Sequence, residues 1–257
     1  MRYFSIGHRL PQFIASRLFG DREKHGLVPQ YDDPCWQEWE RRYLDFYYAN
    51  QKTSIGAVVN NAGYRILGAV DLSGANVLEI GPGDILHMDQ WQGTPRRFVI
   101  ADIQQAMLDR SAARLTEKKV NFETRLLTRS DITRLPFFSC EFDYILSFYS
   151  LEHLFPLEKT LTEFVRVLRP GGKLVGSIPA EGGLAWGLGR FLTSRRWLKK
   201  HTKIDPDKII CWEHPNFAEH ILHLLDHFFI RQRIAYWPLW IPLIDLNLVV
   251  SFIYERE

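Results

Sequence analysis

The chain has 257 residues, enough for one large domain with insertions and too few for two enzyme domains of ordinary size. Its 46% apolar and 24% charged residues are the proportions of a globular protein, which excludes disordered and fibrous classes. A net charge of +2 leaves no surplus of cations for a run of phosphates, so no nucleic-acid partner is expected; three scattered cysteines, Cys35, Cys140 and Cys211, suit reduced thiols and a cytoplasmic setting.

The N-terminal stretch is interrupted by Arg2, His8, Arg9, Pro11 and Arg17, so it has no continuous apolar core for secretion and no export is expected. Residues 1–70 carry helical periodicity and are expected to form a helical extension or lid packed on the core. Asp33 followed by Pro34 marks a helix start, because Asp caps free amides and proline suits the first turn. Beyond it Trp36, Trp39, Tyr43 and Phe46 recur at helical spacing, an aromatic face suited to core packing or, alternatively, to covering a ligand.

From Asn76 short apolar runs alternate with amphipathic segments, the pattern of a parallel sheet with crossover helices. Seven strands are predicted, at Val77–Ile80, Phe98–Ala101, Val120–Arg125, Phe142–Phe148, Lys173–Ile178, Ile230–Trp237 and Leu246–Tyr254. Helices are predicted at Gln104–Leu115 and at Leu157–Leu168, the second ended by Arg169, Pro170, Gly171 and Gly172. No helical pattern separates the last two strands, so they should pair antiparallel at the sheet edge. The expected fold is α/β: a Rossmann-like, seven-stranded, mostly parallel sheet with an antiparallel last strand and helices on both faces, occupying residues 71–257.

Residues 180–215 read as an insertion after the fifth strand. They contain the basic run Arg195, Arg196, Lys199, Lys200 and Lys203, which suits a solvated helix face, an anionic acceptor such as a nucleotide sugar or lipid-linked phosphate, or peripheral contact with an anionic membrane. The apolar tail from Tyr236 to Tyr254 carries Pro238, Pro242, Asp245 and Asn247, so two strands are expected there and no integral membrane segment.

The sequence VLEIGPGD puts Glu79 at the end of the first strand and Gly81 and Gly83 in the following turn, where glycine lets backbone approach a ligand. A dinucleotide fingerprint would need Gly or Ala where this chain has Leu86, which argues against NAD or FAD. Asp102, at the tip of the second strand, can accept from both hydroxyls of a ribose. Asp131 could accept from an adenine amino group, with Ile103 and Ile132 against the ring; capping of a helix or turn is the alternative for both aspartates.

In order, VLEIGPGD, VIADI, SDITRLPF, FDYILSFYSLEHL and VLRPGGKLVGSIP resemble the successive motifs of class I S-adenosylmethionine-dependent methyltransferases over Asn76–Pro179. Within that family the chain is most similar to the group with quinone-biosynthesis and surface-saccharide methyltransferases. The resemblance implies S-adenosyl-L-methionine as cofactor, with Glu79, Gly81 and Gly83 at its methionine part, Asp102 at the ribose, Asp131 and Ile132 at the adenine, and Ser147 and Phe148 beside the sulfonium. Ile85 departs from it, standing where many relatives have a third small residue.

Methyl transfer from a sulfonium needs alignment and exclusion of water more than a strong catalytic group, but a base helps when the acceptor carries a proton. His153, at the carboxyl edge of the sheet in SLEHL, is the first candidate; His87 and His214 are further candidates for the same cleft. No metal is expected: Glu152 and His153 resemble a metal-binding variant among quinone methyltransferases, but the additional acid of that variant falls at Tyr149 here, and His220, His223 and His227 should lie opposite Leu225, Phe228 and Phe229 on a solvated stripe. The expected activity is methylation of O or N on a small molecule, such as a sugar or nucleotide sugar of surface polysaccharide biosynthesis. C-methylation of a quinone-like aromatic, and a catalytically inactive binding protein, are the alternatives.

Overall fold

The computed structural model describes residues 3–51 and 54–257, so Arg2 of the N-terminal reading lies outside the described residues. The first elements are helices: α1 (Gln12–Phe19), α2 (Arg22–His25), α3 (Pro34–Gln51) and α4 (Ser54–Tyr64). α3 begins at the expected cap, where the Asp33 carboxylate accepts from the Cys35 amide at 2.8 Å and Pro34 opens the first turn.

The sheet and its crossovers follow: β1 (Asn76–Ile80), β2 (Arg97–Asp102), α5 (Gln105–Glu117), β3 (Phe122–Leu126), β4 (Phe142–Phe148), α6 (Leu157–Val167) and β5 (Leu168–Pro179). The segment after β5 folds into α7 (Leu184–Leu192), α8 (Ser194–His201) and α9 (Pro206–Glu213), and the chain ends with α10 (Ala218–Phe228), β6 (Ile230–Trp237) and β7 (Val249–Glu255). Among the described residues the strands form one seven-stranded sheet of order β3-β2-β1-β4-β5-β7-β6. Only β7 runs antiparallel, pairing Ser177 of β5 with Ser251 and Ala235 of β6 with the same residue.

Several boundaries differ from expectation, three of them notably. β3 starts two residues late because the Val120 amide still bonds the Leu115 carbonyl at the end of α5 and Lys119 takes a left-handed turn. Arg169–Gly172 do not merely end α6. They enter β5, whose pairing with β4 shifts register between Phe142 and Tyr144 to accommodate them. Leu246, expected to open the last strand, instead lies in a short 3₁₀ turn at Ile244–Leu246.

Each sheet face has its own core. Leu157, Leu161 and Phe164 of α6 and Ile221, Leu222 and Leu225 of α10 cover one face, while Tyr64, Leu67, Leu108 and Leu115 cover the other. A third cluster sits away from the sheet: Trp36 and Trp39 of α3 pack against Leu198, Ile204, Ile209 and Trp212 of the inserted segment. The aromatic stripe of α3 therefore buries itself on residues 194–213, and the two joined segments cap the carboxyl edge of β1, β2 and β4. No described helix is long and apolar enough to cross a membrane.

Candidate active site

Beneath that cap lies a cleft of about 710 Å³ at the carboxyl tips of β1, β2 and β4, where the strand order reverses on either side of β1. Reversal points of this kind are where open parallel sheets leave room for a ligand, since the loops on either side diverge. Gly81, Gly83, Asp102, Ile103, Ile132 and Phe148, all singled out from the sequence, line the cleft.

The glycine turn is dictated by both conformation and space. Gly81 and Gly83 have φ of +67° and +57°, and a Cβ would stand 2.8 Å from the Ser150 Cβ and 2.9 Å from the Tyr47 hydroxyl respectively. Ile85, where relatives have a small residue, also takes a left-handed φ of +47° but turns its side chain into the core, away from the cleft.

Asp102 presents its carboxylate from the tip of β2, one oxygen accepting from the Gln104 amide at 2.7 Å. Burial raises its pKa to about 6 against the pull of the Gln104 and Ile103 amides. Asp131 is placed differently: it does not line the cleft, and its carboxylate accepts from the Thr128 amide at 2.6 Å, which together with the Thr128 hydroxyl lowers its pKa. Turn capping is the contact the structure gives it. Thr128 and Arg129, rather than Asp131, face the cleft at that loop.

Glu79 and Ser147 lie behind the cleft wall. Ser150 donates to the Ile80 carbonyl at 3.0 Å, so the Ser147 hydroxyl, 2.6 Å away, must donate to Ser150; Ser147 thus orients a cleft residue without being one. Glu79 is fully buried, with Oε1 2.7 Å from His87 Nε2 and Oε2 without a hydrogen-bond partner among the described residues. His87 corrects the sequence expectation. It is 1% exposed, away from the cleft, and because Trp91 donates to its Nδ1 at 3.0 Å its proton resides on Nε2 and points at Glu79.

His153 does line the cleft, with a third of its side chain exposed there. Its Nδ1 donates to the Glu213 carbonyl and lies 3.4 Å from the Glu213 carboxylate, so the basic nitrogen of the neutral ring is Nε2. Burial pulls the imidazole down, but the Glu213 side chain and the charge of Glu152 outweigh it and raise its pKa to about 9. Burial in turn raises Glu152 to about 7. At neutral pH His153 is therefore a cation and a donor; the base expected from the sequence is the neutral ring, which prevails only above about pH 9.

His214 sits just behind His153, ring centroids 4.7 Å apart, and does not line the cleft. Its Nδ1 bonds Glu181 at 2.9 Å, and burial together with the charges of His153 and Arg190 holds its pKa well below the ordinary value. It is a neutral packing residue, not a second base.

The rest of the wall is aromatic, and sequence reasoning missed most of it. Tyr43 and Tyr47 of α3, Tyr64, Tyr149, Phe155 and Trp212 converge there. Tyr149, in a left-handed backbone at φ +54°, donates to the Val59 carbonyl at 2.8 Å, tying the edge of the site to α4. Glu40 of α3 meets Arg129 at 2.6 Å across the cleft, joining the cap to the loop after β3. Of the basic run, Arg195 is buried on Asp207 and Arg196, Lys199, Lys200 and Lys203 point elsewhere, so none of the five lines the cleft. Among the described residues no group of His, Cys, Asp and Glu has the clustering of a metal site.

Residues 78–176 match the sequence profile of a family described as "Methyltransferase domain". The ubiquinone/menaquinone biosynthesis C-methyltransferase UbiE of Azotobacter vinelandii is 33% identical over 113 residues, 41% of this chain and 44% of that protein; the enzyme of the same name from Bordetella parapertussis is 34% identical over 105 residues, 40% of each. The chain thus spans less than half the length of the curated relatives it matches. Among solved structures, the N-methyltransferase NodS of Bradyrhizobium japonicum in complex with S-adenosyl-L-homocysteine superposes with a TM-score of 0.56 at 17% identity, covering 87% of this chain and 99% of that one. A SAM-dependent methyltransferase from Aquifex aeolicus does so at 0.50 and 14%, covering 85% and 97%.

Proposed function

We infer that this chain, which carries a class I S-adenosylmethionine-dependent methyltransferase domain, transfers a methyl group to an oxygen or nitrogen of a small-molecule acceptor held in the aromatic half of the cleft. The observation that carries this reading is the pairing, in one cleft, of the turn at Gly81 and Gly83 with the Asp102 carboxylate at the next strand tip. The residues fit the cofactor: Asp102 has an acceptor oxygen for ribose hydroxyls, Ile103 and Ile132 offer flat apolar contact for a base, and the turn at Gly81–Gly83 leaves room for the amino-acid end.

S-adenosylmethionine, when bound, supplies a methyl group on a positively charged sulfur. The chain supplies the geometry. The cap of α3 and α9 shields the cleft from water, Phe148 and Tyr64 shape the wall near the glycine turn, and His153 meets the acceptor. As a cation, His153 donates to the acceptor oxygen and favours its ionised form; as a neutral ring above about pH 9, it takes the acceptor proton on Nε2.

A second reading, C-methylation of a quinone-like aromatic, draws support from the aromatic wall and from the C-methyltransferase activity for which the UbiE relatives are named. The nucleotide-sugar acceptor draws none from the basic run, since those residues lie away from the cleft.

Calorimetric titration with S-adenosylhomocysteine, with NADH as control, tests the common part. One-site binding of the first alone is expected, and its loss in Asp102→Asn by on the order of 1.5–3 kcal/mol, the worth of hydrogen bonds to a charged acceptor. No binding by the wild type overturns the reading. Labelled-methyl transfer to a panel of hydroxylated aromatics, quinols and nucleotide sugars then separates the acceptors.

A further inference from the structure

The carboxyl edge of the sheet carries a second feature beyond β5, where the chain between β6 and β7 rises above the edge. Leu239, Trp240, Ile241 and Leu243 in that loop are 49%, 65%, 44% and 49% exposed, an unusual state for four large apolar side chains in five residues. They are not loose. Fully buried Asn247 donates to the carbonyls of Ile241 and Leu243 at 2.9 and 2.8 Å and accepts from the Leu239 amide at 2.9 Å, so one side chain holds the loop with its apolar groups outward. Trp240, at its tip, takes a left-handed φ of +60° that an aromatic residue rarely adopts unless its surroundings impose it.

The surface continues onto two neighbouring segments. Asp245 accepts from the amides of Ile6 (2.8 Å), Gly7 (3.0 Å) and Leu184 (3.1 Å), pinning the N-terminal segment and the start of α7 around the base of the loop. Leu188 and Leu192, one turn apart on α7, are half exposed. The charge of these segments has one sign: Asp245 is the single acidic residue in 4–17, 184–203 and 230–246, and its carboxylate is consumed by those three amides. Arg231 and Arg233 line a shallow pocket together with Trp240 and Pro242, and Arg17, Arg196, Lys199 and Lys200, on α1 and on the α8 that packs on α7, are exposed.

We propose that the loop 239–243 and the exposed side of α7 form a docking surface for an anionic lipid bilayer. The apolar side chains enter the headgroup layer, Trp240 sits at the boundary as aromatic residues do, and the cations of α8 and β6 meet the anionic headgroups. Charge complementarity selects this occupant over a second copy of the chain, which would bring the same cations against one another. The docking surface goes beyond the methyltransferase reading and does not require it, although it shares the sheet edge at which the cleft lies.

The test is co-sedimentation of the full chain with vesicles of phosphatidylcholine alone and of phosphatidylcholine mixed with phosphatidylglycerol. The wild type should bind the mixed vesicles, weakening with salt, and bind the neutral ones roughly tenfold less or worse. Trp240→Asn with Ile241→Ser and Leu243→Ser, with asparagine chosen to keep the left-handed backbone, should reduce binding roughly tenfold or more at an unchanged melting temperature. Lys199→Gln and Lys200→Gln should each cost roughly fivefold on the mixed vesicles alone. A wild type that ignores both vesicle types, a triple variant that binds as well as the wild type, or a wild-type dimer that the triple variant dissociates would overturn the proposal, the last by making the face a contact between copies.

Discussion

Glu213 and Trp91 show how single side chains outside the motifs decide what the motif residues can do. Glu213 belongs to the inserted segment, sixty residues from His153, yet its carbonyl and carboxylate set which imidazole nitrogen is basic and help to raise the ring to about 9. Removing the charge in Glu213→Gln should lower the His153 pKa, so the limb of the pH–rate profile assigned to neutral His153 should move to lower pH; an unmoved limb would remove Glu213 as a positioning residue. Asp102 gives the opposite dependence. Its pKa is raised to about 6, and only the ionised form offers ribose hydroxyls a charged acceptor, so S-adenosylhomocysteine affinity should fall as pH drops through 6 and Asp102→Asn should lose that dependence along with most of the affinity. Trp91, by donating to His87 Nδ1, forces the His87 proton onto Nε2, which donates to Glu79. His87→Phe would leave a buried carboxylate without its donor and should cost on the order of 2–4 kcal/mol in denaturant unfolding, whereas His87→Gln keeps a donor and should cost less.

Helical periodicity in α3 was legible, but not what the helix packs on. Trp36, Trp39, Tyr43 and Phe46 read as one apolar stripe, and a stripe must be covered. The surface that covers it, Leu198, Ile209 and Trp212, belongs to residues whose sequence reads as a basic insertion. The reason lies in Arg195: paired with Asp207 it is buried, and it bridges α8 and α9 so that their apolar sides face α3. A basic run in sequence was thus part structural link and part exposed surface, and only packing could divide it. Trp39 also donates to Glu213 at 2.6 Å, coupling the cap to the His153 environment. Trp39→Ala should destabilise the cap by about 3–5 kcal/mol, the usual cost of deleting a buried tryptophan side chain, with faster amide exchange in α3 and α9 than in the sheet as the check.

At the scale of the molecule, the sheet order and the cap together place the cleft between two segments far apart in sequence, residues 27–47 with Tyr64 on one side and 212–215 on the other, over strand tips that come from the middle of the chain. A ligand that binds there contacts both, so it should stabilise the whole fold. Saturation with S-adenosylhomocysteine at a hundred times its Kd should add about 2.7 kcal/mol, seen as a rise of roughly 5–10 °C in melting temperature, and NADH should give none.

The positions of the strands along the chain, the antiparallel final pair and the glycine turn were determined by sequence, because each is a local matter: apolar runs set strands, the lack of a crossover pattern sets the last pairing, and left-handed φ selects glycine at 81 and 83. Asp102 belongs with them, since a residue at a strand tip has its direction set by that strand. Tertiary structure alone decided that Asp131 caps a turn, that His87 and His214 lie behind the wall, that His153 is held protonated, and that tyrosines from α3 and α4 complete the site. Burial, tautomer and charge state depend on neighbours brought together by packing, and those neighbours, from Trp91 beside His87 to Glu213 beside His153, are set by the contacts between elements rather than by the motifs themselves.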